Sequence, residues 1–216
     1  MLTLHAHPLS SFCMKIETAL YEAGTPFQYA HLDLGDPAAR ERFLALWPLG
    51  KMPVLRDEAR GETVPETSAI IEYLDLYYPG PQPLIPKDPD LAWRARLAER
   101  IFDLHVQVPV QKIVGDRLRP AEAKDAVGVD GARRDLATAL DLVERQIAER
   151  TWAVGATFGV ADCAAAPALF YADKVAPFAA THPNAWAYLG RLKAQPSFAR
   201  ALKEAEPFFH MFPAGA

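Results

Sequence analysis

The sequence predicts two unlike halves: a small α/β half built on a mixed four-stranded sheet, followed by a half made wholly of helices. Three observations carry this. Short apolar strand-like runs alternate with helical stretches up to Tyr78. The segment "PGPQPLIPKDP", Pro79 to Pro89, holds five prolines in eleven residues, a composition that cannot sustain helix and prefers extended backbone. Beyond it, apolar residues recur only at helical spacing. The chain therefore divides into residues 1–78, a linker at 79–89, and a helical domain at 90–216.

Leu2–His5 is the first strand. Ser11–Ala23 carries Ile16, Ala19, Leu20 and Ala23 at helical spacing, and Gly24 is a natural stop. Phe27–Leu32 reads as a strand. Asp36 as N-cap and Pro37 at the first helical position start a second helix, with an apolar face running to Trp47. Val54–Leu55 and Thr63–Val64 are short strands around the turn "RDEARGE", and "ETSAIIEYLDLYY" is a helix that ends at Pro79. The order βαβ then αββα packs helices on one small sheet. In the second half, Leu97, Ile101, Leu104 and Val108 form one apolar stripe and Leu136, Leu140, Val143 and Ile147 another, both expected to face the core. Pro109 is expected to kink the first of these helices. Further helices are expected over Ala161–Ala172, Asn184–Ala194 and Ser197–Ala205.

Composition narrows the function. Of 216 residues, 50% are hydrophobic and 23% charged, with a net charge of −4, which is the profile of an ordinary soluble globular protein. Nothing in that balance attracts nucleic acid or an anionic membrane. No basic leader with an apolar run stands at the start, and no stretch approaches the roughly 20 apolar residues of a membrane span. Cys13 and Cys163 have neither zinc-like spacing nor the number for a disulfide framework, so a reduced, cytoplasmic protein is expected. The six histidines lack metal-ligand spacing, and no metal is expected. No Gly-x-Ser-x-Gly elbow is present for a serine hydrolase.

Chemistry concentrates in "HPLSSFCMK", His7 to Lys15, where Ser10, Ser11 and Cys13 are candidate nucleophiles at a strand-to-helix turn. Taken alone, Ser10 or Ser11 is an N-cap for the helix that follows. Cys13, inside the first helical turns, reads as a packing residue.

Four stretches together are more specific: "LSSFCMKIETAL" near the start, "PLGKMPVL" at 48–55, "ETSAIIEYL" at 66–74 and "FGVADCAAAP" at 158–167. In this order around a proline-rich linker they resemble the glutathione transferases, whose first half is thioredoxin-like. The resemblance covers essentially the whole chain and is to the serine-type members (zeta-, theta- or tau-like). Such proteins use glutathione as co-substrate, stabilise its thiolate and present it to a hydrophobic electrophile, a chemistry associated with detoxification. The family pattern, counted back from Ala19, puts the activating hydroxyl at Ser10; a one-residue loop shift would exchange it for Ser11. Leu4 to Pro8 contain no tyrosine for the tyrosine-type mechanism.

One hydroxyl is energetically sufficient. A free thiol has a pKa of about 8.5, so half ionisation at neutral pH needs about 2 kcal/mol. A hydrogen bond to a charged acceptor contributes about 1.5–3 kcal/mol, and a helix N-terminus adds about 0.3–1 kcal/mol.

The resemblance also implies that Met52 pairs its backbone with the cysteinyl main chain of glutathione, with Pro53 in cis. Lys51 would meet the glycyl carboxylate, or else be a solvated surface lysine. Glu66 would answer the α-ammonium of glutathione and Thr67 donate to the γ-glutamyl carboxylate; the alternative is an ordinary helix start with an acidic residue. Asp162 resembles the acidic member of a structural capping box, with Gly159 where serine or threonine usually stands. The second substrate would lie against Phe102, His105, Val106 and Pro109, covered by "PFFHMF" with Phe209; the alternative is that these aromatics are core or dimer contacts. A homodimer is the family expectation. Two rival readings are a non-catalytic transferase-like binding or scaffold protein and a glutathione-dependent isomerase, from whose Ser-Ser-Cys motif this chain departs at Phe12.

Overall fold

The computed structural model describes residues 1–33 and 35–213. Strands β1 (Leu2–Ala6), β2 (Phe27–His31), β3 (Val54–Asp57) and β4 (Glu62–Pro65) form one sheet in the order β2-β1-β3-β4. β1 and β2 are parallel, as the intervening helix α1 (Ser11–Ala23) requires, and the other pairs are antiparallel. Leu2, Leu4, Ala6 and Leu55 point to the face covered by α1 and by α3 (Thr67–Tyr77), where Ile16, Leu20, Ile70, Ile71 and Leu74 meet them. The opposite face carries the smaller helix α2 (Pro37–Leu46). Its expected apolar face reduces to one buried residue, Phe43, clustered with Leu32 and Val54; Leu46 and Trp47 are only partly covered. Asp36 caps α2 through the Ala38 amide at 3.0 Å, with Pro37 at the first turn as read from the sequence.

The segment between α3 and the helical half is pinned rather than loose. Amides of Leu84 and Ile85 donate to the two carboxylate oxygens of Asp75 at 3.0 and 2.7 Å, and Leu84 is buried. Five long or medium helices follow: α4 (Pro89–Arg100), α5 (Val108–Arg117), α6 (Ala126–Ile147), α7 (Val160–Val175) and α8 (Pro183–Ala194), then α9 (Pro196–Ala205) and a 3₁₀ turn, Glu206–Met211. Helix α1 packs against α7 and α9, and one continuous core joins the two halves.

Two expectations about the first long helix are corrected. The distortion near Pro109 takes the form of a π-helical stretch, Ile101–Gln107, joining α4 to α5. Proline has no N–H for the preceding turn, and a wider turn accommodates that loss. The expected core stripe is largely on the surface: Leu97, Leu104 and Val108 are 52%, 47% and 45% exposed. The inward face of α4 instead carries Ala92, Ala95 and Glu99. The second stripe, Leu136, Leu140, Val143 and Ile147, is buried as expected.

Asp162 is a structural residue. One carboxylate oxygen accepts from the Gly159 amide at 3.0 Å, and the other from the Ala153 amide at 2.9 Å and the Tyr188 hydroxyl at 2.5 Å. The missing serine at Gly159 has a steric cause: a Cβ there would lie 2.7 Å from the Leu84 carbonyl, which accepts from the Val160 amide at 2.8 Å. We expect Asp162→Ala to lower unfolding free energy by about 2 kcal/mol, because three donors lose their acceptor; urea denaturation checks this.

Candidate active site

Strand register brings the sequence-predicted segments to one end of the sheet. His5 pairs with Val54 and Val54 with Pro65, so the loop leaving β1, the turn entering β3 and the turn leaving β4 lie side by side. Adjacent strands are about 4.8 Å apart, so the segments carrying Ser10, Met52–Pro53 and Glu66–Thr67 lie at one end of the sheet. The Met52–Pro53 peptide is cis. Met52 packs on the Phe43 cluster, and Lys51 beside it is exposed.

Ser10 is the N-cap of α1. It has extended backbone (φ −77°, ψ 120°), and its Oγ accepts from the Cys13 amide at 3.4 Å. The cap and the donor readings are compatible, because accepting that bond does not itself use the hydroxyl proton. Ser10 is half-buried, whereas Ser11 is 6% exposed and turned into the fold. Cys13 is fully buried, and burial pushes its thiol up to about 12, so it is no nucleophile at neutral pH.

Glu66 opens α3 in the left-handed region, at φ 66°, a conformation a glutamate adopts only when its surroundings impose it. Its side chain is exposed and makes no capping hydrogen bond, so the first amides of α3 and the helix dipole stay available to a carboxylate. Thr67, one residue on, is 7% exposed.

A group that sequence reasoning missed sets the orientation of Thr67. Lys15, on α1, is 1% exposed and donates to Thr67 Oγ1 at 3.0 Å, Glu99 Oε1 at 2.6 Å and Asp103 Oδ2 at 2.7 Å. An ammonium has three protons, and all three are used. With its oxygen accepting from Lys15, Thr67 keeps its own proton to donate outward. Ser68 Oγ donates to Glu99 at 2.8 Å and accepts from Arg100 at 2.8 Å; Arg100 also holds Asp103. Burial raises the Asp103 carboxyl, and Lys15 acts against that rise. The network links both halves of the molecule to the start of α3. Its sequence signal was faint: a lysine between Met14 and Ile16 on a helix with little polar surface.

The expected second-substrate face is not assembled. Phe102 and Val106 lie in the π-helical stretch at 5% and 0% exposure, Phe102 with its ring 6.5 Å from that of Tyr188, so both are core residues. Pro109 is also buried, and His105 is exposed. Phe209 packs on Phe170 at 5.7 Å, and its neighbour Phe208 approaches the end of β1, with ring distances of 5.9 Å to His7 and 5.3 Å to His31. The six-residue 3₁₀ turn rotates each residue by about a third of a circle, which separates these two aromatics.

A thioredoxin-like sheet whose cis-proline turn lies beside two helix starts, followed by a helical domain, defines a two-domain class of peptide-thiol binders. Comparison with known proteins agrees. Residues 4–82 match the glutathione S-transferase N-terminal domain, and residues 92–191 match the glutathione S-transferase C-terminal domain. Glutathione S-transferase 3 of Zea mays is 30% identical over 209 residues, covering 93% of each chain. A glutathione S-transferase of Pseudomonas putida is 26% identical over 213 residues, covering 95% of this chain and 93% of the relative. Among solved structures, a glutathione S-transferase from Methylobacterium radiotolerans in complex with glutathione sulfonate is 31% identical, with TM-score 0.81, covering 100% of this chain and 96% of that one. A family member from Pseudomonas fluorescens with bound glutathione is 28% identical, with TM-score 0.79, covering 93% and 98%. The chain belongs to the glutathione S-transferase family.

Proposed function

We propose that the cleft at the ends of β1, β3 and β4 binds glutathione and that the Ser10 hydroxyl stabilises its thiolate for attack on a hydrophobic electrophile. The observation that carries this reading is the convergence of the half-buried Ser10 hydroxyl, the cis Met52–Pro53 turn and an α3 start without a side-chain cap at one sheet end. In the binding pose the γ-glutamyl carboxylate meets the α3 amides and Thr67, and the α-ammonium meets Glu66. The Met52 backbone pairs with the cysteinyl main chain in the manner of an added strand, and Lys51 faces the glycyl carboxylate. The thiolate forms a C–S bond at the electrophilic carbon. The displaced electron pair leaves with the departing group or moves into a conjugated acceptor that then takes a proton. Ser10 donates a hydrogen bond throughout and is never itself the nucleophile.

We assign glutathione to residues 1–78, the linker role to 79–89 and the electrophile to the side of the helical domain, 90–216, that faces Ser10. The exposed stripe of Trp93, Leu97, Leu104 and Val108, with Leu76 and Tyr77 of α3 also exposed, favours a homodimer, since monomers rarely leave such apolar surface open. No helix among the described residues is long and apolar enough to cross a membrane.

Calorimetric titration of the full chain with glutathione tests the reading. Saturable binding together with turnover of activated aryl halides or unsaturated carbonyls supports it, and absence of binding refutes it. Binding with the thiol still protonated at neutral pH would favour the non-catalytic rival.

A further inference from the structure

A recess of about 370 Å³ lies between Pro8 in the loop after β1, the middle of α1, the outer strand β2, and α9 with the turn that follows it. That volume suits a compact ligand. Its walls are aromatic: Tyr21 and Phe27, with ring centroids 5.6 Å apart, Tyr29 and Phe208. Glu17 also lines it and is 2% exposed. Among the described residues Glu17 Oε1 is buried with no hydrogen-bond partner, with the Tyr29 hydroxyl within reach of the carboxyl. Such an uncommitted buried oxygen is rare in a folded protein and calls for a donor.

The other charges of the recess are already matched. Glu204 accepts from the Tyr21 hydroxyl at 2.5 Å and from Arg200 Nε at 2.9 Å, while the Arg200 guanidinium sits 4.0 Å over the Tyr21 ring. An anion entering here would meet the Glu204 carboxylate and would still leave Glu17 Oε1 without a donor. A neutral apolar molecule would leave Oε1 without a donor. A cation supplies both the donor and the charge, and the surrounding ring faces attract it as well.

We propose that this recess is a second small-molecule site that binds an organic ammonium ion, with its –NH₃⁺ on Glu17 Oε1 and its hydrocarbon or aryl part against Tyr21, Phe27, Tyr29 and Phe208. The proposal does not rest on the glutathione reading. Burial raises the Glu17 carboxyl to about 8, so in the empty recess it holds a proton at neutral pH. The groups facing it are Cys13 and Tyr21 on α1, Tyr29 and His31 on β2, Tyr171 on α7, and Arg200 and Glu204 on α9. An ammonium ion favours the carboxylate, so binding at pH 7 releases that proton to the buffer.

The probes are 2-phenylethylammonium and its neutral analogue 2-phenylethanol, titrated calorimetrically into the full chain at pH 7. The ammonium ion is expected to bind saturably and the alcohol at least tenfold more weakly. The ammonium binding heat should change between buffers of different ionisation enthalpy, reporting release of close to one proton. Glu17→Gln keeps the shape and removes the charge, and it should weaken the ammonium at least tenfold while leaving glutathione titration unchanged. Equal binding of ammonium and alcohol, no saturation by the ammonium, or wild-type ammonium affinity in Glu17→Gln would each overturn the proposal. If Glu17→Gln does not fold, the comparison of the two probes on the native chain decides. The separate glutathione titration keeps failure here distinct from failure of the Ser10 cleft.

Discussion

Glycine in place of Ser10 should leave the fold nearly intact and remove most of the bound thiolate. The two roles of Ser10 can be separated because glycine is almost as good an N-cap as serine, costing a few tenths of a kcal/mol, whereas alanine costs about 1 kcal/mol. The contact to the Cys13 amide is long, at 3.4 Å, so α1 loses little when it goes. The hydrogen bond to a thiolate is a charged one, worth about 1.5–3 kcal/mol. Because that bond favours the ionised form, losing it raises the thiol pKa of bound glutathione by about 1–2 units, toward its free value of about 8.5. At neutral pH the rate should fall roughly 10- to 100-fold, and the pH–rate profile should move to the alkaline side by the same 1–2 units. Ultraviolet difference absorbance of the thiolate, followed against pH in Ser10→Gly and Ser11→Ala, decides the assignment. A thiolate that survives in Ser10→Gly and vanishes in Ser11→Ala makes Ser11 the donor.

Local signals carried most of the fold. Asp36-Pro37 starts α2 where the capping rules place it, and Gly24 stops α1 in the left-handed conformation. The site segments were legible for the same reason: each is a turn or a helix start, where residue type is dictated within a few positions. What stayed hidden depends on contacts between distant segments. Helical periodicity put Leu97, Leu104 and Val108 inside, yet the inward face of α4 is polar at Glu99 because Lys15 reaches it from α1, 84 residues earlier in the sequence. A lone lysine in a helix reads as a solvated side chain, and nothing local distinguishes Lys15 from that. Phe102 and Val106 were misplaced for a related reason: the π-helical turn changes the residue spacing per turn, so an extrapolated α-helical face does not survive it. Glu17 was equally hidden, since its lack of a partner is a fact about β2 and α9 rather than about α1.

Lys15→Met should be the most destabilising single change in the network at the start of α3. Among the described residues it removes the one cation that touches Glu99 and Asp103 together, and both residues are 3% exposed. Ser68 still reaches Glu99 and Arg100 still holds Asp103, but neither replaces a buried ammonium between them. Removing one partner from a buried ion pair costs about 3–5 kcal/mol, because the other charge stays uncompensated. For a chain of this size that corresponds to a melting temperature lower by roughly 10 °C, read by calorimetry or as a reduced urea midpoint. Replacing Glu99 and Asp103 by leucine in the same chain should recover much of the stability, since apolar residues often substitute for a buried ionic cluster at little cost. Glutathione affinity should stay low in both variants, because Thr67 no longer receives the Lys15 proton that turns its own hydroxyl outward. Stability restored without affinity would mark Lys15 as a positioning residue for the binding site. A Lys15→Met chain as stable as the wild type would show that the ammonium compensates no buried charge there.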